Sequence, residues 1–429
     1  MGYASAKRNT SVIHLLHIIN GAHVIIKVRA PPFKYTKTKL SMKSLSNLLN
    51  LMLNAVTLAG VAFMTSCAQM DTDLEPCPTG LDVSFSYDYN IQRADMFNDH
   101  VGGMSLYVFD KDNHLVLQKD TANTPLAAPL KDKNFVWHIA QSELPVGRYR
   151  IVALANQKSY NETLATTGAK MRRTTLYPGD DITQLNVVLD RNEANHQPGY
   201  ALVNNQNCPL DTLWATRHVD NEEAWVNIKP NQKTQHHISL IRDTKQLNIT
   251  LRQTVDPADM HDEDYEVQVY DNNGRLLYNN ELDANDERLL YTPYAQWTTK
   301  LSTTTPTQRT DNEDTNTGEA QLMRTAHYEL MTNRLLLHKA AANNANNAHN
   351  AHLVITHKAT GNKVVNIDLS STLADGRQAY EFYNYSAQEY LDREYQFSLD
   401  FFLNGEKCQY VNITIEALSW SHRVQYESL

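Results

Sequence analysis

The sequence predicts an all-β protein of two β-sandwiches in series, which follow an N-terminal lipoprotein signal segment. Three observations predict this fold. After residue 80, apolar and polar residues alternate with a period of two in many short runs, and Gly, Pro, Asn and Asp separate these runs as turns. About 360 of the 429 residues follow the signal segment. That length exceeds what one hydrophobic core usually holds, so two domains are expected.

The N-terminal segment ends at Cys67, the candidate site of lipid attachment. An apolar stretch over residues 45–63 precedes Met64-Thr65-Ser66-Cys67, which sets small residues against a cysteine, as a bacterial lipoprotein cleavage site does. A thiol there can carry fatty acyl groups such as palmitate, so lipid would hold the mature chain on the membrane surface. The alternative is a free or buried thiol behind an N-terminal anchor helix.

The residues before Cys67 have the basic flank of a signal peptide. Eight Lys and Arg and no acid precede Cys67. Three asparagines interrupt the apolar stretch, whereas a transmembrane helix needs roughly 20 mostly apolar residues. Met42 would make a normal start for such a signal, so we predict that residues 1–41 are an upstream extension and that the signal peptide ends at residue 66. The apolar stretch over residues 12–28 leaves a second membrane-associated segment as an alternative.

The charge of the chain excludes a nucleic-acid partner. The chain has 39 Lys and Arg against 48 Asp and Glu, and removal of the eight bases in residues 1–66 leaves 31 bases and a net charge of −17. Such a surface repels nucleic-acid phosphates and gains nothing from anionic lipid. Attachment to an outer membrane would therefore depend on the lipid at Cys67.

Residues 67–80 are predicted to be a lipidated acidic tether. Asp71, Asp73 and Glu75 lead into Pro76, Pro78 and Gly80, a composition that does not pack into a core. The three cysteines that follow Cys67 have no zinc-ligand spacing. An oxidising compartment would permit a disulfide between two of them, Cys77 and Cys208.

Residues 81–233 are predicted to form the N-terminal sandwich. Val83, Phe85, Tyr87 and Tyr89 alternate with polar residues, which predicts a strand with one face in water. The same alternation, with turns at residues 144–147 and 177–180, predicts further strands at residues 106–109, 115–117, 135–139, 148–154 and 185–189.

Residues 234–429 are predicted to form the C-terminal sandwich. Asn273-Gly274 predicts a hairpin, because both residues tolerate positive φ, and Asn404-Gly405 predicts another turn. Ser386 and Glu389 have the spacing of a helix capping box. Two stretches without apolar periodicity, residues 303–318 and 340–352, are predicted surface loops. The strands of this sandwich are predicted at residues 238–241, 247–251, 265–269, 328–336, 353–355, 364–369, 395–401 and 411–415.

No motif for catalysis, a cofactor or a metal occurs in the chain. A phosphate-binding glycine loop, a glycine-flanked nucleophilic serine and a His-Glu-x-x-His helix are all missing. His236 and His237 are adjacent on a predicted strand, where neighbouring side chains point to opposite faces. We therefore expect no enzyme activity, no cofactor and no metal. Five dispersed tryptophans leave a sugar-binding platform as the strongest alternative function.

Several stretches along the chain together match the pattern of a known family. They begin with Leu74-Glu75-Pro76-Cys77-Pro78-Thr79-Gly80-Leu81 and Phe85-Ser86-Tyr87-Asp88-Tyr89-Asn90. They continue through residues 94–97, 106–110, 147–149 and 238–251 around Arg242-Asp243-Thr244, then residues 388–394, and end near Trp420. In these stretches the chain resembles the FimB-like fimbrial anchor lipoproteins of Bacteroidetes. The leucine that usually stands three residues before the lipidated cysteine of such proteins is missing before Cys67.

This resemblance implies two tandem transthyretin-like sandwiches and a place at the base of a fimbria. It implies that the protein anchors the fimbria to the outer membrane, joins the shaft or accessory subunits by strand addition, and could limit fimbrial length. It also implies that Asp71, Asp73 and Glu75 act as a surface-export signal. The alternative is a surface lipoprotein adhesin that binds glycan or a host ligand through a sandwich loop.

Overall fold

The computed structural model describes residues 16–19, 22–25, 79–193, 199–283, 285–304, 320–338, 350–378, 382–417 and 420–426. The chain divides into two compact units, Met1–Glu75 and Pro76–Leu429. In the first unit, β1 (Leu16–Ile19) pairs antiparallel with β2 (Ala22–Ile25). The predicted lipid site Cys67 and the predicted export signal, Asp71, Asp73 and Glu75, lie outside the described residues.

Strands dominate the second unit, which confirms the all-β class. The described helices have four to seven residues, and none is long and apolar enough to cross a membrane. The helices are α1 (Phe97–His100), α2 (Tyr160–Ala165), α3 (Leu369–Ala374) and α4 (Ala387–Arg393). The strands are β3 (Gly80–Ser86), β4 (Gly103–Phe109), β5 (Leu115–Ala122), β6 (Trp137–Ala140), β7 (Gly147–Asn156), β8 (Met171–Arg173), β9 (Val187–Leu189), β10 (Asn192–Glu193), β11 (Tyr200–Leu202), β12 (Leu213–Thr216), β13 (Trp225–Ile228), β14 (Lys233–Arg242), β15 (Lys245–Gln253), β16 (Tyr265–Asp271), β17 (Arg275–Leu276), β18 (Arg288–Tyr291), β19 (Ala295–Thr304), β20 (Ala320–Thr332), β21 (His352–His357), β22 (Lys363–Asp368), β23 (Gln396–Asn404), β24 (Lys407–Ala417) and β25 (Trp420–Tyr426).

The described strands of this unit form four sheets. The first sheet has the order β5-β4-β7-β12-β14-β3-β6, with β13 also paired to β7. The second has the order β19-β20-β15-β23-β24-β25, and the third β10-β11-β18-β16-β21-β22. The small fourth sheet has the order β17-β9-β8. Most pairs are antiparallel, and β3 with β14, β15 with β23 and β11 with β18 are parallel.

The first sheet buries side chains on both faces. In β4, Leu106 and Val108 pack into a core with Trp214, whereas Tyr107 and Phe109 pack into a second core that continues through the other sheets. The prediction that β3 has a wet face is therefore wrong. Asp82 of β3 is buried because neighbouring strands supply its partners, Lys233 Nζ at 2.6 Å and His138 Nδ1 at 2.7 Å.

The chain passes from the first sheet to the second between β14 and β15. Strand β14 starts at Lys233 and pairs with β3 and β12, so it belongs to the first sheet. Asp243 and Thr244 link it to β15 and are fully buried. A domain boundary at residue 234, and the assignment of two tandem transthyretin-like domains, stay predictions.

Local signals for turns and caps are confirmed where they act within a few residues. Gly405 joins β23 to β24 with a φ of +59°, and Asp180 N donates to Tyr177 O at 3.0 Å. Ser386 Oγ accepts from Glu389 N at 3.1 Å and starts α4. The Glu389 carboxylate accepts from Arg393 Nε at 2.9 Å, so only the serine half of the predicted capping box is observed.

Two local predictions in the C-terminal half are wrong. The chain does not form a hairpin at Gly274, because β16 pairs with β18 and β21 whereas β17 crosses to β9. Asn273 is buried, and its side-chain amide donates to the carbonyls of Asn333 and Arg334. The predicted last strand, β24, is followed by a further strand, β25. Of the predicted surface loop 340–352, residues 340–349 lie outside the described residues, and Ala351 is buried.

Asp271, at the end of β16, makes the free energy of unfolding depend on pH. Its carboxyl is buried, one oxygen accepts from Asn272 N at 2.8 Å, and the other has no partner among the described residues. Burial raises its pKa to about 8. The carboxyl therefore stays neutral in the folded protein while it ionises near pH 4 in the unfolded chain. Its contribution to stability is present below pH 4 and is lost as the pH rises to 8.

Asp271→Asn should flatten this pH dependence. Between pH 5 and pH 7 the free energy of unfolding should fall by about 3 kcal/mol less in the variant than in the parent protein, since linkage of one proton is worth about 1.4 kcal/mol per pH unit. Urea unfolding at three pH values measures the difference. Asp112→Asn, at an exposed position, is the control and should keep the parent slope. Equal slopes in the parent and Asp271→Asn would contradict the assignment.

Candidate functional site

Three stretches that carry the sequence resemblance meet at one buried junction between the first and second sheets. Ile91 N, after β3, donates to Arg393 O in α4 at 3.1 Å. The Tyr89 ring lies between the guanidinium groups of Arg217 and Arg393, at 3.8 and 4.1 Å from its centroid. These contacts join residues that are about 300 positions apart in the sequence.

A buried lysine and a buried ion pair complete this junction. Lys245 Nζ donates to the carbonyls of Arg242, Asp392 and Glu394 at 3.3, 3.0 and 2.8 Å. Burial lowers the pKa of Lys245 to about 8. Arg334 forms a bidentate pair with Asp392, with both nitrogen–oxygen distances at 2.9 Å. Because the junction is buried and its Lys245 and Arg334 side chains have hydrogen-bond partners, we assign it a structural role that fixes the sheets to each other.

The candidate binding site is an unpaired seam in the first sheet, formed by β13 and by residues 233–239 of β14. Strand β13 pairs only with β7, from Trp225 opposite Arg150 to Ile228 opposite Gly147. Strand β14 pairs with β12 only at residues 240–242. Because β12 and β13 share one edge of β7 and β14 borders β12, the free edges of β13 and β14 face each other. Within residues 199–283 that the structure describes, no ladder joins them.

Three residues of β14 present free backbone groups to the seam. Gly80 N of β3 donates to Gln232 O at 3.4 Å, whereas Arg217 N, on the opposite side, donates to Ser239 O at 3.0 Å. Backbone groups alternate in direction along a strand, so the odd-numbered residues face away from β3. Lys233, Gln235 and His237 therefore direct their N–H and C=O groups into the seam.

A cavity of about 310 Å³ lies at the end of the seam that is formed by residues 236–239 of β14. Ile151 and the buried Ile238 and Ala224 provide apolar lining, and Thr216 and Ser239 provide hydroxyl groups. The cavity exists because residues 217–224 leave the edge of β7 between β12 and β13. Because β12 alone spans from β7 to β14, β13 lies about one strand spacing from β14. An added strand with alternating side chains would therefore have to displace β13 to pair with β14, and it would then meet this pocket.

Exposed ion pairs and one buried side chain fix the loop of residues 217–224 beside the seam. Glu222 accepts two hydrogen bonds from Arg148, at 2.8 and 3.0 Å, although its side chain is 88% exposed. Asp220 lies 3.6 Å from Arg150 and accepts from Asn279 at 2.7 Å. Exposed pairs of this kind contribute about 0–1 kcal/mol each. Burial of Val219 in the second core therefore holds the loop more strongly than these pairs do.

The histidines at the seam do not form a metal site. His237 contacts Ser84 Oγ through Nδ1 and Ser86 Oγ through Nε2, both at 3.0 Å, so both ring nitrogens already have partners. Burial lowers the pKa of the adjacent His236. In the described part of the chain, no three His, Cys, Asp or Glu residues are placed to hold an ion.

The tryptophans do not assemble a sugar-binding platform in the described residues. Trp214 is fully buried in the first core, so that alternative is wrong for this residue. The guanidinium groups of Arg148 and Arg150 both lie 4.5 Å from the Trp225 ring centroid. Trp297 is partly exposed and stacks on His327 with centroids 5.1 Å apart.

The sequence does not predict the seam, because nothing in residues 225–239 distinguishes an unpaired strand edge from a paired one. The Trp225–Ile228 stretch is short, and it lies close to the predicted domain boundary at residue 234. The one available signal was the turn before Lys233, which places two strands close together without determining whether they bond.

The sequence profile of the fimbrillin-A associated anchor proteins Mfa1 and Mfa2 matches residues 74–426. No curated protein sequence matches the chain. Among solved structures, a candidate polysaccharide-binding protein of Bacteroides thetaiotaomicron is 26% identical, with a TM-score of 0.58 over 81% of this chain and 99% of that one. A candidate adhesin of the same species is 24% identical, with a TM-score of 0.59 over 82% and 99%. The fimbrial anchor protein Mfa2 of Porphyromonas gingivalis is 17% identical, with a TM-score of 0.49 over 80% and 99%.

Proposed function

Since the chain belongs to the family of fimbrillin-A associated anchor proteins, we propose that it anchors a fimbria to the outer membrane and receives a strand of the adjoining subunit at the seam. The family is one of structural anchor proteins and not of enzymes, and it indicates a fimbria-associated location at the cell surface. Cys67 carries the lipid in this proposal, and Asp71, Asp73 and Glu75 direct export to the surface.

The observation that carries the seam proposal is the pair of facing, unbonded strand edges. An extended peptide that displaces β13 would bond to both β14 and β7, whereas a peptide added to an outer edge such as β5 would bond on one side only. Each main-chain hydrogen bond contributes about 0.5–1.5 kcal/mol net. The inserted strand would replace the bonds between β13 and β7 and add bonds to β14, together with the pocket beside Ile151.

Gln235→Pro should release fimbriae from the cells. Proline removes one N–H that faces the seam and its ring blocks pairing, while the ladder with β3 uses the even-numbered residues. We expect at least about a tenfold rise in shed fimbriae, from the loss of one or two hydrogen bonds and the steric clash. Immunoblots of the medium and cells measure the ratio, and unchanged membrane-bound anchor shows that the variant folds.

The matched control is Gln118→Pro on the outer edge strand β5. Asn123 N donates to Gly102 O, so alternation along β5 directs the N–H of Gln118 away from β4. If the seam is the acceptor, this variant should retain its fimbriae. Shedding by Gln118→Pro but not by Gln235→Pro would show that the acceptor is the β5 edge. Retention of fimbriae by both variants would refute strand addition at either place.

A further inference from the structure

A second cavity, of about 420 Å³, opens beside the edge strand β5 and is separate from the seam. Strands β4 and β5 form one wall, and the start of α2 together with β8 forms the other. The volume falls within the roughly 300–1,000 Å³ of small-molecule sites. This cavity takes no part in the proposed anchoring function.

The cavity contains a buried guanidinium group with spare donor capacity. Arg173 is 8% exposed, its Nη1 donates to Ser105 Oγ at 2.5 Å, and its Nη2 contacts Asn156 Oδ1. The guanidinium also lies 4.4 Å from the centroid of the Tyr160 ring. Its Nε has no hydrogen-bond partner among the described residues. That atom is closed to the cavity, so the donors for a ligand oxygen are the N–H groups of Nη1 and Nη2 that these contacts do not use.

A carboxylate in the same cavity can accept hydrogen bonds from a ligand. Asp120 accepts from Ser105 Oγ through one oxygen, and the other oxygen has only a long contact, 3.4 Å from Gln118 Nε2. A chain of hydrogen bonds therefore runs along the cavity wall, from the donor Arg173 through Ser105 to the acceptor Asp120. The hydroxyl groups of Thr121 and Thr175 also line it.

This combination favours a ligand whose groups both donate and accept. An anionic group would meet the Asp120 carboxylate, and a cationic group would meet the Arg173 guanidinium. Alcohol groups satisfy both residues without a net charge, since each hydroxyl donates one hydrogen bond and accepts others. We infer that the cavity binds a neutral sugar unit of a glycan, with Arg173 donating to its hydroxyls and Asp120 accepting from them.

Saturation-transfer NMR on the purified full chain tests this inference. The neutral probes are glucose, galactose, mannose and N-acetylglucosamine, with glucuronate as the anionic probe and glucosamine as the cationic probe. At least one neutral sugar should bind with a Kd of about 1–10 mM, which is typical of a single ring held by a few hydrogen bonds. Asp120→Ala should weaken that binding by about tenfold, since a charge-assisted hydrogen bond is lost.

Two further variants keep the test interpretable, because replacing buried Arg173 would disturb folding. Gln118→Ala, at the cavity mouth, should weaken binding by a few fold, and Asp112→Ala, an exposed acid outside the cavity, should leave it unchanged. Failure of every neutral sugar, preference for glucuronate or glucosamine, or full binding by Asp120→Ala would each overturn the inference.

Discussion

Cells that carry Cys67→Ala should lose almost all membrane-bound anchor protein and shed their fimbriae into the medium. The net charge of −17 after residue 66 disfavours binding to an anionic membrane by charge, so the proposed attachment depends on the acyl chains. Buried methylenes contribute about 0.8 kcal/mol each, so removal of a diacylated cysteine abolishes stable attachment. Immunoblots of membrane and soluble fractions measure the change, and the β-sheet circular dichroism of the released protein should match that of the parent.

Cys208→Ala is the matched control, because it removes a thiol from the folded part of the chain. It should keep the protein in the membrane fraction. Mass spectrometry of the mature N-terminus tests the modification directly. An unmodified peptide that crosses residues 60–75, found in the bulk of the mature protein, would refute lipidation at Cys67.

Deletion of the gene separates the anchor from the adhesin alternative. An anchor is needed to hold the fimbria, so its loss should release fimbriae while their assembly continues. Unchanged retention in the deletion strain would exclude the anchor function. Lost ligand binding with normal fimbriae would favour the adhesin, and the sugar cavity beside β5 would then be its first candidate site.

Asp392→Asn should lower the free energy of unfolding by about 3–5 kcal/mol. The substitution leaves the buried Arg334 guanidinium without its bidentate partner, and an unpaired buried charge costs that much. It also weakens the contact of Asp392 with Gln388, at 3.1 Å in the parent protein. Urea unfolding at pH 7 measures the loss.

A surface ion pair with the same geometry shows how much of the stability loss depends on burial. Arg172 and Asp190 form the same bidentate contact, at 2.6 and 2.9 Å, but their side chains are 55% and 32% exposed. The side chains of Arg334 and Asp392 are 15% and 8% exposed. Asp190→Asn should therefore cost about 1 kcal/mol or less. Equal losses in the two variants would contradict the assignment of the larger loss to burial of the Arg334–Asp392 pair.

Elements that depend on a few neighbouring residues could be predicted from the sequence. Alternation located the strands around Leu247 and Phe397, and the turn at Gly405 and the serine cap of α4 were confirmed. Each of these signals acts through backbone dihedral preferences or a hydrogen bond between close neighbours. The two sheets that meet at the junction could not be joined in this way, because their contacts link distant residues such as Tyr89 and Arg393.

The wrong predictions also arise from contacts between residues that are distant in the sequence. Asn273-Gly274 has the local chemistry of a hairpin, yet β17 leaves for β9 because the buried Asn273 amide bonds to the carbonyls at residues 333 and 334. Asp82 has the pattern of a solvated residue, but Lys233 and His138 from neighbouring strands surround it. Polar residues are buried only where distant parts of the chain provide partners, and a sequence pattern does not contain that information.

By itself, the sequence determined the all-β class, the strand periodicity, the charge that excludes nucleic acid, and the family to which the chain belongs. The tertiary structure alone decided which strand edges stay unpaired, that Arg242 to Lys245 cross between sheets in a buried junction, and that Arg173 and Asp120 share a cavity. Periodicity reflects the local alternation of a strand between two environments. Strand order, open edges and shared cavities depend on contacts between residues far apart in the chain, and those contacts form only when the sheets pack.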